Sequence, residues 1–154
     1  MIKMICFDMD GTIADLYAVK GWEPMLRAED PTPYASAAPM WDMMELRQVL
    51  EMFQMVGIEI RIITWLSRQS TEEYKEATRA AKREWLEEQG FPYDFFHGVQ
   101  YGATKADSVR RYLAENETAI LIDDNAKVRE GWHLGETIDP TACDIIEVLR
   151  SLLE

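Results

Sequence analysis

Short apolar runs alternate with longer segments of helical periodicity along the chain. The run at 2–9 is apolar as far as residue 7 apart from Lys3, the run at 59–65 is rich in isoleucine, and the run at 118–124 is apolar over 119–122 before it ends in two aspartates. This pattern is typical of strands that are buried on both faces of a sheet. A weaker run at 94–100 and a brief one at 137–138 predict two further strands.

Between these runs, apolar residues recur three and four positions apart, which predicts helices. Helix starts are expected at Asp42, Ser70 and Thr104, and Gly57 and Gly90 are natural stops for the first two. A short helix after the run at 118–124 and a final amphipathic helix are also expected. The predicted buried faces are Met43, Leu46, Leu50, Phe53 and Val56; Tyr74, Ala77, Ala81, Trp85 and Leu86; Ala106, Val109, Tyr112 and Leu113; and Ile145, Ile146, Leu149, Leu152 and Leu153.

The alternation of strands and helices favours an α/β fold, a three-layer sandwich of the Rossmann type with a mostly parallel central sheet. We expect one domain over 1–154, because the sequence has no repeat and no linker long enough to divide it. The segment 14–41 has scattered aromatic residues and three prolines between 31 and 39. It predicts one or two short helices followed by an irregular loop.

Composition narrows the class of protein. Hydrophobic residues make up 47% of the 154 residues, which is typical of a compact globular protein. Lys3, Asp8 and Asp10 interrupt the N-terminal apolar stretch, so it suits neither a secretory signal nor a membrane span. The two cysteines make no disulfide framework, and we therefore expect a cytoplasmic protein. Because the sequence has no run of eighteen apolar residues, we expect no membrane partner.

The net charge of −12 weighs against a nucleic-acid binder, because an acidic surface repels the phosphate backbone. The same charge repels small anions at long range. A phosphate site would need a local positive focus, made by a metal ion, a lysine and backbone amides.

Acidic and hydroxyl side chains lie where the predicted strands end. Asp8 and Asp10 close the first strand, Thr64 lies near the end of the second, and Asp123 and Asp124 close the last long run. In parallel sheets, ligands bind beyond the carboxyl ends of the strands. We expect these five side chains to meet at one site.

The segment DMDGT at 8–12 resembles the first motif of the haloacid dehalogenase superfamily of phosphohydrolases. Thr64 is similar to the second motif of that superfamily, Lys105 to the third, and Asp123 with Asp124 to the acidic fourth. The four motifs occur in the order of the superfamily and span nearly the whole chain. A haloacid dehalogenase-like fold is therefore expected, with a minimal cap-like insertion around 16–41.

The resemblance implies that Asp8 attacks phosphorus and forms an aspartyl-phosphate. It also implies a Mg²⁺ cofactor, held by Asp8, the backbone carbonyl of Asp10 and Asp123, with Asp124 as a partner through water. Which of Asp123 and Asp124 binds the metal directly is left open.

The remaining site residues follow from the same resemblance. Lys105 would neutralise the nucleophile and a phosphate oxygen, while the Thr64 hydroxyl and backbone amides would bind the other oxygens. Gly11 and Thr12 are candidates for substrate binding. Trp65 is a further candidate, with simple packing as its alternative.

Asp10 indicates the reaction class. An aspartate here can protonate the leaving oxygen and then accept a proton from water, which favours phosphatases and phosphomutases. Mutases of this superfamily carry a sizeable cap domain, whereas fewer than about thirty residues lie between Asp15 and the helix at Asp42. We therefore expect a phosphatase for a small phosphorylated metabolite. Its site would be covered only by 16–41 or by a second subunit, which leaves a homo-oligomer open.

Three alternatives remain at this stage. The small insertion resembles that of the 5'(3')-deoxyribonucleotidases, and Tyr17, Trp22, Tyr34 and Trp41 could stack on a nucleobase. A phosphatase for nucleic-acid ends or phosphoproteins is the second alternative. The third is a non-enzymatic protein that keeps the fold as a binding module.

Taken singly, the motifs have ordinary explanations. DxDG occurs in calcium loops, but the oxygen ligands that an EF-hand needs after it are absent from the sequence. Asp123 and Asp124 alone could form a solvated turn, and Lys105 alone could be a surface lysine. The combination of the motifs carries the prediction.

Overall fold

The computed structural model describes residues 1–68 and 70–154 and contains a five-stranded parallel sheet. The strands are β1 (Ile2–Phe7), β2 (Ala14–Asp15), β3 (Ala38–Pro39), β4 (Glu59–Trp65), β5 (Phe95–Val99), β6 (Thr118–Ile122) and β7 (Thr137–Ile138). Strand order in the main sheet is β5-β4-β1-β6-β7, and β2 pairs with β3 in a separate antiparallel ribbon. The predicted α/β class with its parallel central sheet is confirmed.

Helices cover both faces of this sheet. They are α1 (Trp22–Arg27), α2 (Thr32–Ser36), α3 (Met43–Met55), α4 (Glu72–Glu88), α5 (Ala126–Glu130) and α6 (Ile145–Leu152), with 3₁₀ turns at Leu16–Ala18, Lys105–Ser108 and Arg110–Tyr112. Side chains alternate along β1, so Ile5 and Phe7 join the core beneath α3, α4 and α6, whereas Met4 and Cys6 join the core on the opposite face. The continuous apolar runs therefore reflect burial on both sides, as predicted.

The start of α3 matches its prediction. The Asp42 carboxylate accepts hydrogen bonds from the backbone N–H groups of Met44 and Glu45. Leu46, Leu50 and Phe53 are buried as expected, but the prediction for Val56 was wrong, because this side chain is 68% exposed. Val56 follows the last turn of the helix, where the chain turns back towards β4 at Gly57.

The prediction for α4 needs two corrections. Thr71 caps the helix, not Ser70, since the Thr71 hydroxyl accepts the N–H of Tyr74. Tyr74, Trp85 and Leu86 are buried as predicted, but Thr78 and Lys82 take the fully buried places that were assigned to Ala77 and Ala81. The helix is thus rotated so that a hydroxyl and an ammonium group face inward.

The predicted helix after Thr104 forms two 3₁₀ turns instead, and the Thr104 side chain makes no cap hydrogen bond. Ala106 and Val109 are buried as expected, whereas Tyr112 is 39% exposed and stacks on Arg61. The final helix buries its predicted residues apart from Leu152, which is 38% exposed, and Leu153, which is partly buried.

The segment 14–41 folds against α4. Its two short helices, α1 and α2, match the prediction, while the small ribbon of β2 and β3 was not expected. The Trp85 indole donates a hydrogen bond of 2.8 Å to the carbonyl of Ala37, and the Tyr74 hydroxyl donates one of 3.2 Å to the carbonyl of Asp30. These contacts fix the insertion beside the carboxyl end of the main sheet.

Among the residues that the structure describes, no helix combines the length and the apolar character that crossing a membrane would require.

Candidate active site

The carboxyl ends of three neighbouring strands place the predicted acidic residues together. Asp8 follows β1 directly, and its N–H donates to the carbonyl of Ile122 at the end of β6. Asp123 directly follows the end of β6, so the carboxylates of Asp8 and Asp123 lie beyond the ends of adjacent strands. Thr64 lies near the end of β4, on the other side of β1.

A tight loop after β1 turns the chain away from the sheet. The N–H groups of Thr12, Ile13 and Ala14 all donate to the carbonyl of Met9, at 2.9–3.0 Å. Gly11 adopts a φ of +83°, and a Cβ atom there would lie 2.4 Å from an Asp124 carboxylate oxygen. Only glycine leaves room for Asp124 at this point.

Asp8, Asp123 and Asp124 form an acidic cluster at the base of the site. Each offers a carboxylate oxygen, and these three oxygens all lie within 4.8 Å of one another. Burial, followed by the charge of Asp8, raises the pKa of Asp123 and raises that of Asp124 to about 7. Ionisation of all three carboxyl groups is therefore disfavoured unless a cation lies beside them.

Lys105 supplies one positive charge to this cluster. Its Nζ lies 2.9 Å from Asp8 Oδ1 and 2.8 Å from Asp123 Oδ2, and the side chain is almost completely buried. Burial disfavours the ammonium form, but the charges of Asp8 and Asp123 outweigh it and raise the pKa of Lys105. The lysine thus stays protonated between two carboxylates.

Thr12 lies behind the acidic cluster and does not line the cavity. Its fully buried hydroxyl lies 2.9 Å from Asp8 Oδ2 and 3.3 Å from Asp124 Oδ1, and it accepts the N–H of Asp124. These contacts orient the carboxylates rather than a substrate. Gly11 is also absent from the residues that line the cavity, and the predicted role of both residues in substrate binding stays a prediction.

The start of α5 fixes Asp123. The Asn125 side chain caps this helix, and the Asn125 N–H donates to Asp123 Oδ1 at 2.9 Å. The Arg129 guanidinium donates to the carbonyl of Asp123, also at 2.9 Å. Asp123 is therefore held at both its backbone and its side chain.

Asp10 and Thr64 meet on the opposite side of the site through a second lysine. Lys82 of α4 places its Nζ 2.9 Å from Asp10 Oδ2, 2.7 Å from Thr64 Oγ1 and 2.9 Å from the carbonyl of Trp65. Burial raises the pKa of Asp10, and the ammonium of Lys82 opposes part of that rise. Asp10 therefore keeps its proton to a higher pH than a solvent-exposed aspartate does.

A cavity of about 460 Å³ opens above these groups. Asp8, Asp10, Thr64, Lys105, Asp123 and Asp124 contribute to its lining. Its walls contain five aromatic residues, namely Tyr17, Trp22, Tyr34, Trp65 and Tyr101. The prediction for Trp65 as a lining residue agrees with this placement, and its indole also donates to the carbonyl of Ala103.

Trp41 does not join the aromatic wall. Its indole N–H donates to the carbonyl of Thr12 at 2.7 Å, and its ring packs against the core. The suggestion that Trp41 stacks on a ligand was therefore wrong, whereas Tyr17, Trp22 and Tyr34 do face the cavity.

The donor set suits a magnesium ion. Asp8, Asp123 and Asp124 offer only oxygen atoms, which Mg²⁺ prefers, and they offer more negative charge than Lys105 balances. Among the described residues, the cluster contains no histidine or cysteine, so it does not favour zinc.

Three residues of the site, Lys82, Asn125 and Arg129, were not predicted from the sequence. Lys82 follows Tyr74 and Thr78 at intervals of four, a spacing that places all three on one helix face. That spacing could have identified it, but a lysine on a helix is normally exposed. Asn125 is a typical helix-capping residue directly after the acidic pair, which was a usable signal.

Several solved structures share this architecture. A haloacid dehalogenase-like hydrolase of Streptococcus pneumoniae aligns with a TM-score of 0.57 and 15% identity, over 98% of each chain. D,D-heptose 1,7-bisphosphate phosphatase of B. bronchiseptica, solved with magnesium and phosphate, aligns with a TM-score of 0.56 and 13% identity, over 99% of this chain and 98% of that one.

The haloacid dehalogenase domain of the effector Lem4 of Legionella pneumophila aligns with a TM-score of 0.53 and 13% identity, over 99% of this chain and 94% of that domain. No protein-family model and no curated protein matches the sequence. The structural similarities show that the chain has the haloacid dehalogenase-like fold.

Proposed function

We propose that this protein is a Mg²⁺-dependent phosphomonoesterase that acts through an aspartyl-phosphate on Asp8. The observation that carries the proposal is the bridge formed by Lys105 between Asp8 and Asp123 at the base of the cavity. Lys105 offsets part of the negative charge of the carboxylates at the carboxyl edge of the sheet, and a Mg²⁺ ion bound there would complete a local positive focus in a chain of net charge −12. An anionic phosphoryl group needs such a focus in order to approach a carboxylate.

The chemistry assigned to the site has two steps. In the first, a carboxylate oxygen of Asp8 forms a bond to phosphorus while the bond from phosphorus to the ester oxygen breaks. The protonated carboxyl group of Asp10 gives its proton to that leaving oxygen, so an alcohol departs. In the second, water attacks phosphorus, Asp10 takes a proton from the water, and inorganic phosphate leaves Asp8 as a carboxylate.

The other residues stabilise the charge of the phosphoryl group. Lys105 pairs with Asp8 and would also neutralise a phosphate oxygen. Thr64 is among the residues that line the cavity, and its hydroxyl would donate to a second oxygen. Thr12 holds Asp8 from behind, so that the attacking carboxylate keeps one orientation.

Asp8, Asp123 and Asp124 would hold the magnesium ion, together with the backbone carbonyl of Asp10. When bound, the ion offsets the repulsion between the carboxylates and the phosphoryl group. Asp123 is fixed by Asn125 and Arg129, which favours it as the direct ligand. Asp124 is less buried and is assigned the outer position.

A small phosphorylated metabolite is the proposed substrate. A nucleoside monophosphate is the second candidate, and the observation that favours it is the aromatic wall formed by Tyr17, Trp22, Tyr34, Trp65 and Tyr101. Aromatic rings stack on nucleobases at a gain of roughly 1–3 kcal/mol per base. The edge-to-face pair of Tyr17 and Trp22 stands on the insertion, above the acidic cluster.

The proposal is tested by phosphate release from a panel of sugar phosphates, deoxynucleoside monophosphates, a phosphopeptide and 4-nitrophenyl phosphate. We expect turnover with Mg²⁺, loss of turnover in EDTA, and recovery when excess Mg²⁺ is added. Preference for the nucleotides would support the second candidate. Turnover that ignores the chelator would contradict the metal site, and the absence of turnover on every ester would favour a binding module.

A further inference from the structure

Lys82 is a buried cation for which the two chemical steps above have no use. Its side chain is 1% exposed, and it lies on α4, behind the sheet edge that carries the site. Its ammonium group has three N–H donors, and three oxygens lie within 2.9 Å: Asp10 Oδ2, Thr64 Oγ1 and the carbonyl of Trp65. Each donor therefore has a partner.

Burial of this ammonium is costly, because a charge leaves water. An apolar side chain would fill the same place in the helix face beside Trp85 at a lower desolvation cost. The residues of all three partners, Asp10, Thr64 and Trp65, line the cavity, whereas Lys82 itself does not. The lysine thus contacts the groups that would touch a substrate without reaching the substrate.

The contact with Asp10 leaves one carboxyl oxygen available. Lys82 holds Oδ2, while Oδ1 accepts no hydrogen bond from any residue that the structure describes. Because the side chain borders the cavity, the available oxygen can carry the proton that a leaving group needs. Without Lys82, either oxygen could turn towards the cavity.

The contact with Thr64 fixes the direction of the hydroxyl group. An ammonium group can only donate, so the Thr64 oxygen must accept at 2.7 Å. The hydroxyl hydrogen is then directed elsewhere, and its other contact, the carbonyl of Trp65 at 3.5 Å, is long. A phosphoryl oxygen in the cavity would be a better acceptor.

We propose that Lys82 is a positioning residue, which orients the carboxyl group of Asp10 as proton donor and the hydroxyl group of Thr64 as phosphoryl ligand. This inference rests on the proposed phosphomonoesterase function. Lys82 gains and loses no atoms in the reaction; the proton that leaves Asp10 in the first step returns to it from water in the second. The face of Tyr34, whose ring centroid lies 4.9 Å from Nζ, adds a further contact to the buried ammonium group.

The test compares two esters that differ in how much their leaving group needs a proton. Benzyl phosphate releases a strongly basic alkoxide, whereas 4-nitrophenyl phosphate releases a weakly basic phenolate. For Lys82→Met, we expect kcat/KM for benzyl phosphate to fall at least about tenfold more than kcat/KM for 4-nitrophenyl phosphate, because general acid catalysis matters only for the first. Misplacement of Thr64 would lower both values alike.

Two controls isolate the effect of Lys82. Lys75 lies on the same helix and pairs with Glu72 at the surface. Lys75→Met is expected to leave both kcat/KM values unchanged. In an Asp10→Asn background, Lys82→Met should cause no further preference between the esters, since the proton donor is already absent. Circular dichroism confirms folding, and Lys82→Gln, whose amide is neutral and polar, serves if the methionine variant does not fold.

Equal losses on both esters would overturn the proposed orientation of Asp10 by Lys82, and no loss on either ester would overturn the positioning role altogether. The orientation of Asp10 would also be overturned if Lys82→Met changed the ratio of the two kcat/KM values as much in the Asp10→Asn background as it does in the wild-type background. If the wild-type protein hydrolyses neither these esters nor any of the panel, the proposed function itself fails. That result differs from a failure of the Lys82 inference, in which the wild-type protein is active.

Discussion

Gly11 shows how one residue permits the acidic cluster. Its φ of +83° and the 2.4 Å distance that would separate an added Cβ atom from the Asp124 carboxylate are separate constraints, since the first concerns backbone strain and the second concerns contact. Gly57 has a similar φ of +87°, but its Cβ position is clear of other atoms to 4 Å. The two glycines therefore make a matched pair.

We predict that Gly11→Ala and Gly57→Ala each destabilise the protein by about 1 kcal/mol, because alanine is strained at positive φ. Only Gly11→Ala should also displace the Asp124 carboxylate and weaken Mg²⁺ binding. Urea denaturation measures the first effect, and isothermal titration with Mg²⁺ measures the second. Equal Mg²⁺ affinity in the two variants would show that Asp124 takes no part in the metal site.

At the scale of elements, the apolar runs were enough to predict the main strands. β4 matches its predicted bounds, and β1 and β6 end directly before the predicted aspartates. Such runs are informative because strands of a parallel sheet are buried on both faces, so apolar residues are favoured at successive positions. The placement of Asp8, Thr64 and Asp123 at one edge of the sheet followed from their positions at the carboxyl ends of parallel strands.

Helix faces were less predictable. In α4 the sequence offered alanines at 77 and 81 as core residues, but the structure buries Thr78 and Lys82, because the helix packs against a site that needs a cation. Periodicity measures hydrophobicity and cannot anticipate a buried charge that is matched by Asp10. The partner of Lys82 lies 72 residues away in sequence, and only the fold brings the two together.

For the whole molecule, three site carboxyl groups share one direction of pKa shift. Burial first, and neighbouring charge second, raises the pKa of Asp123 and Asp124, and burial raises that of Asp10 against the pull of Lys82. The folded protein therefore binds these protons more tightly than the unfolded chain does. The stability that this tighter proton binding contributes is present below the ordinary aspartate pKa. It is lost as pH rises through the raised pKa values, and the raised pKa of Asp124 is about 7.

We predict that, in EDTA, the three site carboxyl groups contribute a fall in the free energy of unfolding as pH rises from about 4 to 7. Asp124→Asn should flatten part of this fall, whereas Asp107→Asn, at an exposed ion pair away from the site, should keep it. Mg²⁺ should stabilise the protein more at pH 7.5 than at pH 5, since it binds ionised carboxylates. Urea denaturation at several pH values tests this, and an unchanged slope in Asp124→Asn would contradict it.

The most direct test of the proposed nucleophile is phosphate release by Asp8→Asn compared with the wild-type protein, in Mg²⁺ and with the best ester of the panel. Asparagine keeps the shape of the side chain, and Lys105 keeps its bond to Asp123, so the fold should survive. Asp15→Asn, a change in the neighbouring β2 outside the cavity, is the control and should remain active. We predict that Asp8→Asn retains less than about one-hundredth of the turnover; a folded variant with more activity than this would show that Asp8 is not the nucleophile.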